Sequence, residues 1–161
     1  MKAASTHELK QELQQTPPEK LIELCLRLVR FKKENKELLT YLLFEAHDTD
    51  AYISGIKKEM DIQFDDINTS NIYFVKKSLR KILRTSNKFI RYSNAEIVEA
   101  ELLIHFCTSL KKLGSDINTN AVIRNMYQNQ LKKINKAIAS MHEDLQYDYL
   151  KQTEKLNEPI R

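Results

Sequence analysis

Two glycines and three prolines in 161 residues leave this chain few places to turn sharply. An all-β sandwich needs a tight turn every few residues, and nucleotide-binding α/β folds need glycine-rich phosphate loops. Neither can be assembled from this supply. Long, seldom interrupted elements remain, and the sequence predicts an all-α chain. With 42% hydrophobic and 30% charged residues, arranged in periodic clusters, wholesale disorder and collagen-like repetition are also excluded. The length suits a single helical domain over 1–161.

Helix signals place the elements. A polar, frayed helix is expected from about Ser5 to Gln15. Thr16-Pro17-Pro18-Glu19 reads as the next start, with Thr16 as cap, Pro17 in the first helical position and Glu19 completing a capping box. Leu21, Ile22, Leu24, Cys25, Leu28, Val29 and Phe31 carry that helix to about Lys33, and Leu38 to Ala46 carry another, with the polar Lys32-Lys33-Glu34-Asn35 as the turn between. Asp48 caps a segment running to Phe64. Thr69 or Ser70 starts a helix to about Tyr92, and Ser93 with Glu96 forms a second capping box. The following helix, apolar nearly all round between Leu102 and Leu110 and closing at Gly114, is the expected centre of the core. No breaker lies between Asn118 and Pro159, so a long C-terminal helix is expected either to bend or to project over 150–161.

These signals amount to six or seven helices in antiparallel hairpins. Leu21–Leu28 and Leu103–Leu110 share four of eight residues when aligned, which favours a short HEAT/armadillo-like superhelix over an up-down bundle. Tyr127, Leu131, Ile134, Ile138, Met141 and Leu145 alternate four and three apart like a coiled-coil seam, a pattern open to intramolecular packing or to a homodimer through the C-terminal helix.

Charge is unevenly spread. Residues 1–75 hold 10 Lys/Arg against 13 Asp/Glu, residues 76–91 hold 7 against none, and residues 92–161 hold 9 against 9. One helix supplies the whole excess behind the net charge of +4. At about 100° per residue, Lys76, Lys77, Arg80, Lys81, Arg84, Lys88 and Arg91 fall within an arc of about 140°, opposite Ile72, Val75, Leu79, Ile82, Leu83, Phe89 and Ile90. Seven cations on one face repel one another, and nucleic-acid phosphates would relieve them. Glu59, Asp61, Asp65 and Asp66 on the preceding helix are the acidic groups placed to cover that face instead.

Catalytic signals are sparse. None of His7, His47, His105 and His142 belongs to an HExxH or Glu-x-x-His pattern. Glu101 and His105 share a helix face, most simply as a satisfied pair, and Glu45, His47, Asp48 and Asp50 cluster where carboxylates act as caps. Cys25 and Cys107 sit in apolar runs without a CxxC and read as two buried, reduced thiols, which fits a cytoplasmic location. No catalytic residue, metal or cofactor is expected. No apolar run reaches the ~18 residues of a membrane span, and the N-terminus lacks a signal-peptide core. The expected role is a non-catalytic interaction module for a protein partner, with nucleic-acid backbone binding through the helix over 70–92 as the alternative.

Overall fold

The computed structural model describes residues 2–114 and 119–157. Among the described residues there are eight α-helices and no strand: α1 (Thr6–Gln15), α2 (Pro18–Phe31), α3 (Lys33–Thr40), α4 (Thr49–Asp65), α5 (Ile72–Ser93), α6 (Glu96–Lys111), α7 (Ala121–Ala139) and α8 (Glu143–Asn157), with a π-helical stretch at Tyr41–Glu45. No helix among them is long and apolar enough to cross a membrane. The all-α expectation holds. The count exceeds six or seven because the expected long C-terminal helix is two helices, broken at Ser140–His142. There Gln146 donates its amide to the carbonyl of Met141 at 2.8 Å, so a side chain takes up a backbone acceptor that continuous helix would have used. Asn118 and Pro159, the expected breakers at either end, lie outside the described residues.

The chain divides into two compact units, Met1–Phe44 and Glu45–Arg161. In the first, Ser5 and Glu8 form a reciprocal capping box at the start of α1. Pro17, not Thr16, is the N-cap of α2 and Pro18 occupies its first turn; the Thr16 hydroxyl instead donates back to the carbonyl of Glu12 at 2.7 Å. The turn expected over four residues shrinks to Lys32, whose φ of −146° and ψ of 138° interrupt an otherwise helical path. Asn35 secures it by donating to the carbonyl of Leu28 at 2.8 Å.

In the second unit Asp48 caps α4 through the amide of Ala51, as expected. The cap of α5 is Asn71, which accepts from the amide of Tyr73 at 2.8 Å, rather than Thr69 or Ser70. Ser93 belongs to the end of α5 and bonds back to Ile90, Asn94 turns left-handed at φ 50°, and α6 begins after Ala95 without a side-chain cap. The second capping box is therefore absent: its serine is spent closing the helix before it. Gly114 follows α6 at φ 111°, a conformation that side-chain-bearing residues avoid.

Cross-helix contacts fix the directions. Lys57 meets Glu101 and Asp61 meets His105, the same 44 residues apart in each case, so α4 and α6 run parallel. Lys111 donates to the carbonyl of Lys155, again 44 residues on, while Tyr149 reaches Glu101, so α6 and α8 are parallel too. α5 runs back against both α4 and α6, with the Tyr52 hydroxyl donating to the carbonyl of Phe89, and α7 runs back against α6 and α8, with the Tyr127 hydroxyl donating to the carbonyl of Leu156. Neighbours in sequence therefore alternate in direction.

α6 touches α4, α5, α7 and α8, and Val98, Ala100, Leu102, Leu103, Phe106, Cys107 and Leu110 are fully enclosed. It is the centre of this unit, as its apolar circumference implies. Tyr127, Leu131, Ile134 and Ile138 of the seam-like pattern are spent in the same core. Beyond the break Tyr149, Thr153 and Leu156 of α8 are buried, so the described part of the expected projecting end is folded back onto the unit. Leu103–Leu110 lies in this core, whereas in the matching Leu21–Leu28 segment of the first unit most side chains are exposed and none is buried.

Candidate functional site

Three surfaces have the chemistry to do something. The first is the basic face of α5. Val75, Leu79, Ile82, Leu83 and Ser86 are buried beneath the helix, which turns the opposite arc outward: Lys77, Arg80, Lys81, Arg84 and Arg91 are exposed, and Lys76 and Lys88 half-buried. Among the described residues no carboxylate oxygen lies within 4.0 Å of a charged nitrogen of Lys76, Lys77, Arg80, Lys81, Arg84 or Arg91. The four carboxylates expected as possible cover point elsewhere: Asp61 bonds His105 at 2.6 Å, Glu59 accepts from Gln63, and Asp65 and Asp66 stand exposed at the end of α4. Lys88 lies 5.2 Å from the centre of the Phe89 ring. At the start of the helix Tyr73 and Phe74 are 61% and 44% exposed and meet edge to face at 5.6 Å.

The other end of this face opens into a cleft of 550 Å³ lined by Asn87, Ile90 and Arg91 of α5, Asn94, Ala95, Glu96 and Glu99 at the start of α6, and Lys133 of α7. Sequence reasoning missed Lys133. The signal was available: α7 carries Arg124, Lys132, Lys133 and Lys136 and no acidic residue, like α5, but its bases are too dispersed to stand out as a run.

The second surface is a polar pocket of 480 Å³ on α4, α6 and α8 that includes Lys57, Asp61, Glu101, His105 and Tyr149. Glu101 and His105 share its wall without bonding each other. Lys57 and Tyr149 both donate to Glu101, and His105 turns to Asp61. Burial pushes the Glu101 carboxyl up, but the two donors and the charges of Lys57 and His105 outweigh it and hold the group below the usual carboxylate range. Burial and the Glu101 carboxylate together raise the Tyr149 phenol. Every polar group named here has a partner that ties one helix to another, the mark of a structural network. Among the described residues no three His, Cys, Asp or Glu side chains converge as a metal site requires.

The third surface belongs to the first unit. α1, α2 and α3 contain no buried residue. In α2 the apolar residues from Leu21 to Phe31 span about 220° of the helix circumference at 100° per residue, while Lys20, Glu23, Arg27 and Arg30 share the remainder. One neighbouring helix needs a stripe of about 100°. α3 supplies one neighbour, and between the two helices runs an apolar groove of 240 Å³ lined by Cys25, Leu28, Val29, Asn35, Leu38, Leu39 and Leu42. Cys25 is exposed in this groove rather than buried as expected, since no third helix of this unit covers it. Cys107 is buried, and desolvation pushes its thiol up to about 12 against the weaker opposing pull of Lys111.

No family model, no curated protein and no solved structure matches this chain.

Proposed function

We propose that residues 1–161 act as one non-catalytic interaction module whose protein partner lays an amphipathic helix into the α2–α3 groove. The observation that carries this reading is the breadth of the apolar arc on α2, wide enough for two neighbours where its own unit provides one. Leu28 at 59% and Phe31 at 81% exposure are larger apolar investments than a solvated helix needs. The groove's one polar lining residue, Asn35, already spends its amide on Leu28, so the occupant must be apolar along its inner stripe. Arg30, Lys32, Lys33 and Lys36 crowd the closed end of the hairpin against Glu34 and Glu37, which favours an occupant with acidic side chains at that end. Stacked helical hairpins, as the Leu21–Leu28 and Leu103–Leu110 similarity suggests, are a common way of presenting such grooves.

The test is titration with 16-residue amphipathic helical peptides bearing Leu at i, i+4 and i+7, flanked by Glu or by Lys at one end. Micromolar binding of the Glu-flanked peptide, with protection of Cys25 from iodoacetamide and loss in Leu28→Asp/Leu39→Asp, is the expected result. Unchanged Cys25 labelling at saturating peptide would overturn the reading. So would sedimentation showing a dimer that shields Cys25 by itself, because the occupant would then be a second copy.

A further inference from the structure

On a different surface from that groove, we infer that the second unit binds single-stranded nucleic acid along α5, with the strand passing from Tyr73 and Phe74 at one end to the Arg91–Lys133 cleft at the other. The backbone term comes first. Lys76 to Arg91 covers about 22 Å at 1.5 Å per residue, the span of about six stacked phosphates at 3.4 Å each. Seven cations against about six phosphates is a close match, and the chain leaves six of those cations without a carboxylate among the described residues.

From Lys76 to Arg84 the exposed arc carries long basic side chains and no amide to read a base edge in a groove; the one amide of the arc, Asn87, lines the cleft at its end. Base recognition therefore falls to the two ends, and both ends suit an unpaired strand. Tyr73 and Phe74 offer exposed rings on which a base can stack. The cleft at the far end is lined by Asn87, Asn94, Glu96 and Glu99 together with Arg91 and Lys133. Glu96 and Glu99 repel a phosphate, so in this cleft the phosphates seat on Arg91 and Lys133. A base entering the cleft meets carboxylates that accept from an exocyclic amine. Adenine and cytosine carry that amine on their pairing edge, and uracil does not. A duplex hides those edges and its bases cannot reach the two ends.

The experiment is fluorescence anisotropy of labelled 12-nucleotide oligo(A), oligo(C) and oligo(U) RNA, and of an RNA duplex of equal length, with the full chain between 50 and 200 mM salt. Oligo(A) and oligo(C) should bind more tightly than oligo(U) and the duplex, and lose about two to three orders of magnitude in affinity across that salt range, as five or six released counterions imply for a single strand. Arg80→Glu/Arg84→Glu should weaken binding at least tenfold and flatten the salt slope by about 1.4, and Lys133→Glu should weaken oligo(A) severalfold. Circular dichroism of both variants separates loss of binding from loss of fold. No saturable binding at 50 mM salt would overturn the inference, as would equal binding of an Asp/Glu-rich peptide of matched charge, which would make the face an acidic-protein site. Duplex binding as tight as oligo(A) would overturn the single-strand assignment.

Discussion

The hydroxyl of Tyr127 donates to the main-chain carbonyl of Leu156 at 2.7 Å, with Tyr127 only 1% exposed. This bond joins α7 to α8 across 29 residues and gives a buried hydroxyl the partner that burial demands. Burial raises the phenol's ionisation well above the usual tyrosine range, so the donor keeps its proton at any ordinary pH. Tyr127→Phe keeps the ring and removes the donor, and should cost about 1–2 kcal/mol, read as a lower urea midpoint with unchanged m. Faster amide exchange confined to the end of α8 would accompany it.

Glu101 links α4, α6 and α8 through Lys57 and Tyr149. Its pKa is lower in the folded chain than the unperturbed 4.5, so the stability it contributes is complete above that value and is lost as pH falls through the folded pKa. Glu101→Gln should therefore be destabilised by about 1–2 kcal/mol at neutral pH. The gap to the natural chain should narrow as pH falls below 4.5 and close once it has passed through the lower folded pKa. Thermal unfolding followed across pH 3 to 7 measures both.

The two thiols should part company under alkylation. Iodoacetamide reacts with thiolate, and Cys107 is both enclosed and held at about 12, whereas Cys25 is exposed. Mass spectrometry of the folded chain at pH 8 should show one modification, on Cys25, and a second only when denaturant is added.

On α5, Arg84 stands one turn from Arg80, Lys81 and Lys88, and no acidic residue lies in the helix. Arg84→Gln removes three like-charge pairs at spacings where each costs a few tenths of a kcal/mol. The variant should be equal or slightly greater in thermal stability while binding nucleic acid more weakly. A fall in stability would mean that Arg84 serves the fold.

Leu28 and Leu110 occupy the same position in the two similar octapeptides. Leu110 is fully buried and Leu28 is 59% exposed. Leu110→Ala should cost about 2–5 kcal/mol and Leu28→Ala about 0.5 or less, both by circular dichroism.

That pair shows where a sequence stops speaking. Periodicity marks both octapeptides as faces that want apolar neighbours, and nothing local says which one receives them. Cys25 was misread for the same reason: its surroundings in sequence are apolar, while its surroundings in space are open. The basic arc of α5 was legible because helix geometry alone fixes it, and so were the central place of α6 and the cap at Asp48. Lys133 was not, since its arrival beside Arg91 depends on how α7 crosses the start of α6. The break at Ser140 was hidden as well. Neither glycine nor proline announces it, and the residue that stabilises it, Gln146, lies inside the next helix.

Because α4, α5, α7 and α8 all rest on α6, each of the four depends on that one helix for part of its buried face. Displacing α6 would bare apolar surface on all four neighbours at once. In the first unit α1, α2 and α3 enclose no side chain, and Tyr41 of the π-helical stretch is the one buried residue among those described, so the unit has no centre comparable to α6.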